Sequence, residues 1–146
     1  MSLVVRVATD GVRIPVARAR IAALAEGVLR REKVRDAALS VAFVTNRRIA
    51  ALNRAHLGHE GATDVLSFGF APISSERAVV GDVYIAPDVA RRNARAHGGG
   101  VREELMRLVV HGVLHVLGHD HPEDESRYGS DMWKRQERLL HALGAA

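Results

Sequence analysis

Three histidines carry the chemistry that is legible in this chain. His111, His115 and His121 stand in the run His111-Gly112-Val113-Leu114-His115-Val116-Leu117-Gly118-His119-Asp120-His121. Residues four apart share one face of an α-helix, about 6 Å along its axis, so His111 and His115 can aim two imidazoles at one point. Gly118 can end the helix in the left-handed conformation without a Cβ penalty. The chain then reverses and brings His121 round as a third donor. Three neutral imidazoles leave a tetrahedral Zn²⁺ with one open position, as in catalytic rather than closed structural zinc sites. The expected cofactor is one Zn²⁺ per chain, held by His111, His115 and His121, and the expected chemistry is metal-assisted hydrolysis.

The neighbours of these histidines favour a metal over a bland surface or core role. Leu105, Leu108, Val109, Val113, Leu114, Val116 and Leu117 make the helix largely apolar, which predicts burial. Buried imidazoles without partners are costly, and a cation accounts for their lone pairs. His119, directly after the glycine, reads equally as an exposed loop residue or a further ligand.

The spacing is shared with zinc proteases of the pattern H-E-x-x-H-x-x-G-x-x-H, where the glutamate is the general base. Here Gly112 occupies that position, and a glycine accepts no proton. Zinc by itself lowers the pKa of bound water to about 7. Asp120, beside the third histidine, is the nearest replacement carboxylate and the candidate catalytic residue. A role as acceptor for a ligand histidine N–H fits it equally well.

At 146 residues the chain is expected to form a single domain, 1–146, around one core. It contains no cysteine, which excludes a disulfide framework and thiolate zinc sites. Met1-Ser2-Leu3-Val4-Val5-Arg6 lacks the features of a signal peptide, and no apolar run reaches the roughly 20 residues of a membrane span. The expectation is a cytoplasmic protein with no membrane partner. Charge is uneven: residues 1–58 carry eleven Lys or Arg against four Asp or Glu, and nineteen of the 21 basic residues overall are arginine. Guanidinium forks match phosphate oxygens, while coding bias would scatter the same arginines over a solvated surface.

The elements that must position these residues alternate along the chain. Leu3–Val7 reads as a strand before an Asp10-Gly11 turn. A helix opens at Pro15 and runs to about Glu32. Ala38–Val44 reads as a strand, and Thr45 or Asn46 caps a short helix through about Ala55. Val65–Phe70 and Val79–Ile85 read as strands around a loop containing Pro72 and Ser74-Ser75. Pro87 starts a helix to about His97, the metal helix begins near Val101, and a last amphipathic helix covers about Asp131–Leu143, its Met132 and Trp133 read as core. The predicted class is α+β: a small mixed β-sheet of about four strands packed with several helices, the metal site on a central buried helix.

The chain resembles the YbeY family of bacterial endoribonucleases in three ordered segments. These are Leu52-Asn53 with Thr63-Asp64-Val65-Leu66-Ser67-Phe68; Gly81-Asp82-Val83-Tyr84-Ile85; and the histidine run followed by Met132-Trp133. They extend over most of the chain from about residue 50 to 140. The resemblance implies a zinc-dependent, single-strand-specific endoribonuclease acting in 16S rRNA 3′-end maturation and ribosome quality control. It implies His111, His115 and His121 as zinc ligands, and as partners a 16S rRNA precursor and the ribosomal subunit or its proteins, with no DNA. Two positions depart from the family pattern: Leu57 stands where many relatives carry an arginine, and His119 where tyrosine is frequent.

In the corresponding mechanism the metal polarises a phosphoryl centre, and either water or the neighbouring 2′-OH attacks. Arg47, Arg48 and Arg54 are the candidate RNA-binding residues that position the backbone. The Thr63-Asp64 and Gly81-Asp82 pairs read as cleft residues or as turn and strand-end chemistry. Two other functions fit parts of the pattern. A metalloprotease-like hydrolase has the histidine spacing but lacks the base at Gly112. A non-enzymatic ribosome-binding factor would use the metal to staple its fold.

Overall fold

The computed structural model describes residues 2–70 and 78–145; the loop expected around Pro72 and Ser74-Ser75 lies outside them. The elements are β1 (Leu3–Asp10), α1 (Arg18–Arg31), β2 (Ala37–Val44), α2 (Asn46–Leu57), β3 (Val65–Phe70), β4 (Val79–Ile85), α3 (Pro87–His97), α4 (Val101–Val116), a short 3-10 helix (Glu125–Gly129) and α5 (Asp131–Ala142). The strands form one sheet in the order β1-β2-β4-β3. β1, β2 and β4 are mutually parallel, and β3 runs antiparallel to β4 at the edge. The α+β class with a four-stranded mixed sheet is thus observed.

Strand periodicity assigns the two faces of the sheet. Ala37, Leu39, Val41 and Phe43 of β2, with Val83 and Ile85 of β4, join α1, α4 and α5 in the main core. Ala42, Val44, Leu66, Phe68 and Tyr84 point the other way and pack under α2 through Ile49 and Leu52. Thr45 caps α2, its Oγ1 accepting the Arg48 N–H at 3.1 Å.

α4 is the central helix. It packs against β3 and β4 on one side and against α1, α3 and α5 around the rest. Its approach to the sheet is close enough to require glycine. A Cβ on Gly112 would lie 2.5 Å from Val83 Cγ1 and 3.2 Å from Ser67 Oγ, and one on Gly81 would collide with Val116 Cγ1. The residue after the first histidine therefore faces the sheet, where no carboxylate fits.

Two boundaries differ from the sequence expectation. α1 starts at Arg18, not Pro15: the chain bends at Pro15 and Val16, Val16 is buried in the core, and Ala17 is the extended N-cap residue. β1 continues to Asp10 because its whole length pairs with β2, and the reversal falls on Gly11 at φ +69°. The 3-10 helix was not anticipated, its residues being exposed throughout and without apolar periodicity.

Candidate metal centre

α4 ends in a Schellman turn built from the residues that carry the histidine spacing. The His119 N–H donates to the Leu114 carbonyl, and the Gly118 N–H to that of His115, both at 3.0 Å. Gly118 takes φ +97°, a conformation strained for any residue with a Cβ. The turn brings His121 back to the helix. One ligand atom from each of His111, His115 and His121 lies within 4.8 Å of the others, and the ring centroids are 4.6 to 5.0 Å apart. The group can hold a metal ion.

Two of the three rings have their tautomer set by the protein. His111 Nδ1 lies 2.6 Å from Gln136 Oε1. That oxygen only accepts, so Nδ1 carries the hydrogen and Nε2 is left for the centre. His121 Nδ1 donates likewise to the Pro122 carbonyl at 2.6 Å. Burial pushes the His111 pKa down to about 4, with the neighbouring His115 and His121 adding to the effect against the Gln136 bond. His115 is lowered too, first by burial and then by His121. Neutral imidazoles are what ligation needs, so the donor set fits a borderline cation such as Zn²⁺.

Behind His111 runs a chain of polar contacts that sequence reasoning missed. Gln136 is 1% exposed, and its Nε2 donates to Glu137 Oε2 at 3.0 Å. Glu137 also accepts from Arg107 at 3.0 to 3.2 Å, and Arg107 reaches Glu103 at 2.8 Å and Glu104 at 3.4 Å. The available signal was a glutamine inside the apolar stripe of α5, between Met132 and Leu139-Leu140.

His119 is not part of the cluster. Its Nε2 meets Glu32 Oε1 at 2.9 Å, and Glu32 also takes Arg135 in a two-pronged contact at 2.7 to 2.9 Å. Burial opposes ionisation of Glu32, but the hydrogen bonds from Arg135 and His119 outweigh it and hold the carboxyl below its usual value. Asp120 is exposed; its Oδ1 accepts the His121 N–H at 2.9 Å and so steadies the loop bearing the third histidine.

The three arginines singled out from the sequence lie exposed on α2. The last turn of α2 meets β3 where the His56 and Phe68 rings make a tilted contact, centroids 5.2 Å apart, and the last turn of α4 meets β3 at Gly69. α2 and α4 thus meet opposite faces of β3, Phe68 on one and Gly69 on the other. Arg47 and Arg48 start α2, about 10 Å from Arg54 along its axis. Leu57 closes α2, 49% exposed.

A cavity of about 640 Å³ opens beside His111 and His121. Its walls come from the start of β3 (Asp64, Val65), Asn93 of α3, the first half of α4, the 3-10 helix (Arg127, Tyr128) and α5 (Trp133, Gln136). Trp133, expected in the core, is half-buried and faces this space, whereas Met132 is buried as expected. Asn93 Nδ2 donates to Asp64 Oδ2 at 3.2 Å. Burial raises the Asp64 pKa above its usual value, against hydrogen bonds from the backbone N–H groups of Val65 and Asp64 and the charge of Arg127.

Comparison with known proteins agrees with this layout. The family model described as endoribonuclease YbeY matches residues 7–144. A protein of Frankia alni named endoribonuclease YbeY is 43% identical over 139 residues, 87% of this chain and 75% of its own. One of Frankia casuarinae with the same name is 42% identical over 99% of this chain and 76% of its own. The solution structure of TM1509 from Thermotoga maritima superposes with a TM-score of 0.61 at 24% identity, covering 95% of this chain and 88% of that one, which supports the fold. With the family model spanning nearly the whole sequence and its histidines converging as the spacing required, the chain belongs to the endoribonuclease YbeY family.

Proposed function

We propose that this protein is a zinc-dependent, single-strand-specific endoribonuclease that acts in the cytoplasm on 16S rRNA 3′-end maturation and ribosome quality control, with residues 1–146 working as one domain. The observation that carries the reading is the convergence of His111, His115 and His121 with two of the three Nδ1 hydrogens already committed to protein acceptors, in a chain of the endoribonuclease YbeY family. Zinc held there supplies a Lewis acid for a phosphoryl oxygen and lowers the pKa of a bound water to about 7.

The chain's own residues do the rest. Gln136 and the Pro122 carbonyl hold the imidazoles of His111 and His121 in the ligating tautomer. Asp120 positions His121 through its backbone N–H, and its exposed carboxylate is the proton acceptor for the attacking group. Arg47, Arg48 and Arg54 contact the RNA backbone as a basic track along α2. The partners in this reading are single-stranded RNA and the ribosomal subunit or its proteins. Against a protease stands Gly112, whose position is filled by the sheet.

The test joins metal content to activity. Untagged protein and His115→Ala are analysed for zinc, then assayed on single-stranded RNA with a defined 3′ extension. One zinc per chain, with cleavage by the unmutated protein alone, is the expected result. Equal background from both proteins overturns the nuclease reading. A 2′,3′-cyclic phosphate on the product assigns attack to the 2′-OH, and a 3′-hydroxyl with a 5′-phosphate on the other fragment assigns it to water.

A further inference from the structure

We propose that the cavity beside the metal centre is a subsite for one unpaired nucleobase of the substrate, selective for guanine, with Asp64 reading the base edge and Trp133 stacking on its face. The inference rests on the ribonuclease reading and extends it to sequence preference.

The space is nucleotide-sized, about 640 Å³, within the range of small-ligand sites. It is continuous with the reaction centre, because His111 and His121 line it. Its charge is wrong for a sugar-phosphate backbone. Among the described residues four carboxylates line it against two arginines; Arg107 is paired with Glu103 and Glu104, and the lining as a whole keeps an excess of negative charge. An acidic wall repels phosphate and suits a neutral ligand rich in N–H donors.

The remaining groups supply the two contacts a base uses. Trp133 presents an indole to the cavity, held edge-on by Tyr128 with ring centroids 4.9 Å apart. Tyr128 is itself backed by the Arg127 guanidinium, 4.9 Å from its ring, and Arg127 donates to its hydroxyl at 2.9 Å. Aromatic platforms of this kind bind unpaired bases by stacking. Asp64 also lines the cavity, its carboxylate oriented by the Asn93 amide at 3.2 Å. Its Oδ1 already accepts from Thr63 Oγ1 at 3.5 Å, and the lone pair left on each oxygen offers two acceptors side by side. Guanine alone among the four RNA bases presents two adjacent donors, N1–H and N2–H₂, on its Watson–Crick edge. Uracil presents carbonyls on both sides of its single N–H and meets the carboxylate with repulsion. The edge is accessible only in an unpaired base, so the subsite also discriminates against duplex.

Trp133 is the only tryptophan of the chain, so its fluorescence reports the cavity directly. The full chain, zinc-loaded, is titrated with GMP, AMP, CMP and UMP, which share a phosphate and differ in the base. Asp64→Asn, which keeps the shape and the Asn93 contact, is titrated in parallel. Metal-dependent cleavage of a random-sequence single-stranded RNA is mapped for both proteins. The expected result is quenching by GMP with a Kd about tenfold below that for UMP, lost in Asp64→Asn, and cleavage enriched beside guanines only in the unmutated protein. Equal affinity for all four nucleotides, or discrimination that persists in Asp64→Asn, overturns the subsite even if RNA is cleaved. Guanine-selective quenching without any cleavage supports the subsite and overturns the nuclease reading instead.

Discussion

Replacing Gln136 with methionine removes the hydrogen-bond partner of a candidate metal ligand while keeping an unbranched side chain of similar length in the core. Gln136 is 1% exposed, and its Oε1 lies 2.6 Å from His111 Nδ1. The Nδ1–H is then left buried and unsatisfied, at a cost of about 1–3 kcal/mol, and the ring is freed to turn or to change tautomer. Loss of a partner of this kind lowers metal affinity about 10- to 100-fold, equivalent to about 1.4–2.7 kcal/mol. The two ranges agree. The assay is competitive zinc titration against a chromophoric chelator at neutral pH, with circular dichroism to confirm that Gln136→Met is folded. Folded Gln136→Met that binds zinc as tightly as the unmutated protein refutes the assignment of Gln136 as the residue that orients His111.

Gly112→Ala is expected to lower stability by about 1–2 kcal/mol in urea unfolding. Overpacking against the buried Val83 costs about 1–3 kcal/mol and exceeds the helix-propensity gain of about 1 kcal/mol, because the new Cβ would sit 2.5 Å from Val83 Cγ1. A neutral or stabilising effect would show that α4 shifts freely on the sheet. Asp64→Asn is expected to raise the Tm at neutral pH. Because burial raises the Asp64 pKa, the folded protein holds this proton more tightly than the unfolded chain, so stability falls as pH rises through the folded pKa. The gain should shrink as the pH is lowered below the ordinary carboxylate range, and a pH-independent difference would contradict it. Leu57→Arg, at a 49% exposed position, should leave stability within about 0.5 kcal/mol and speed RNA cleavage about tenfold through a charge-assisted phosphate contact; an unchanged rate would remove that position from the RNA path.

How much could be read in advance depended on how local the physics was. The i, i+4 pair, the helix-ending glycine and the third histidine are determined within eleven consecutive residues, so His111, His115 and His121 were legible, as were β3, β4 and α3 with their bounds. Helix geometry and the left-handed turn at Gly118 act over one or two turns of chain, and sequence order is enough to specify them. The start of α1 was not legible, because Val16 is drawn into the core by residues far along the chain.

The partners of the histidines belong to the same nonlocal class. Gln136 reaches His111 from twenty-five residues away, and Glu32 takes His119 from eighty-seven; nothing in the spacing of either pair announces the contact. Gly112 shows the division most clearly. Sequence alone established that a protease's base was missing there, since glycine has no proton acceptor. Only the packing of α4 on β3 and β4 decided why: a Cβ on that face would lie 2.5 Å from Val83 Cγ1 and 3.2 Å from Ser67 Oγ, and close packing in the interior leaves no volume for a side chain.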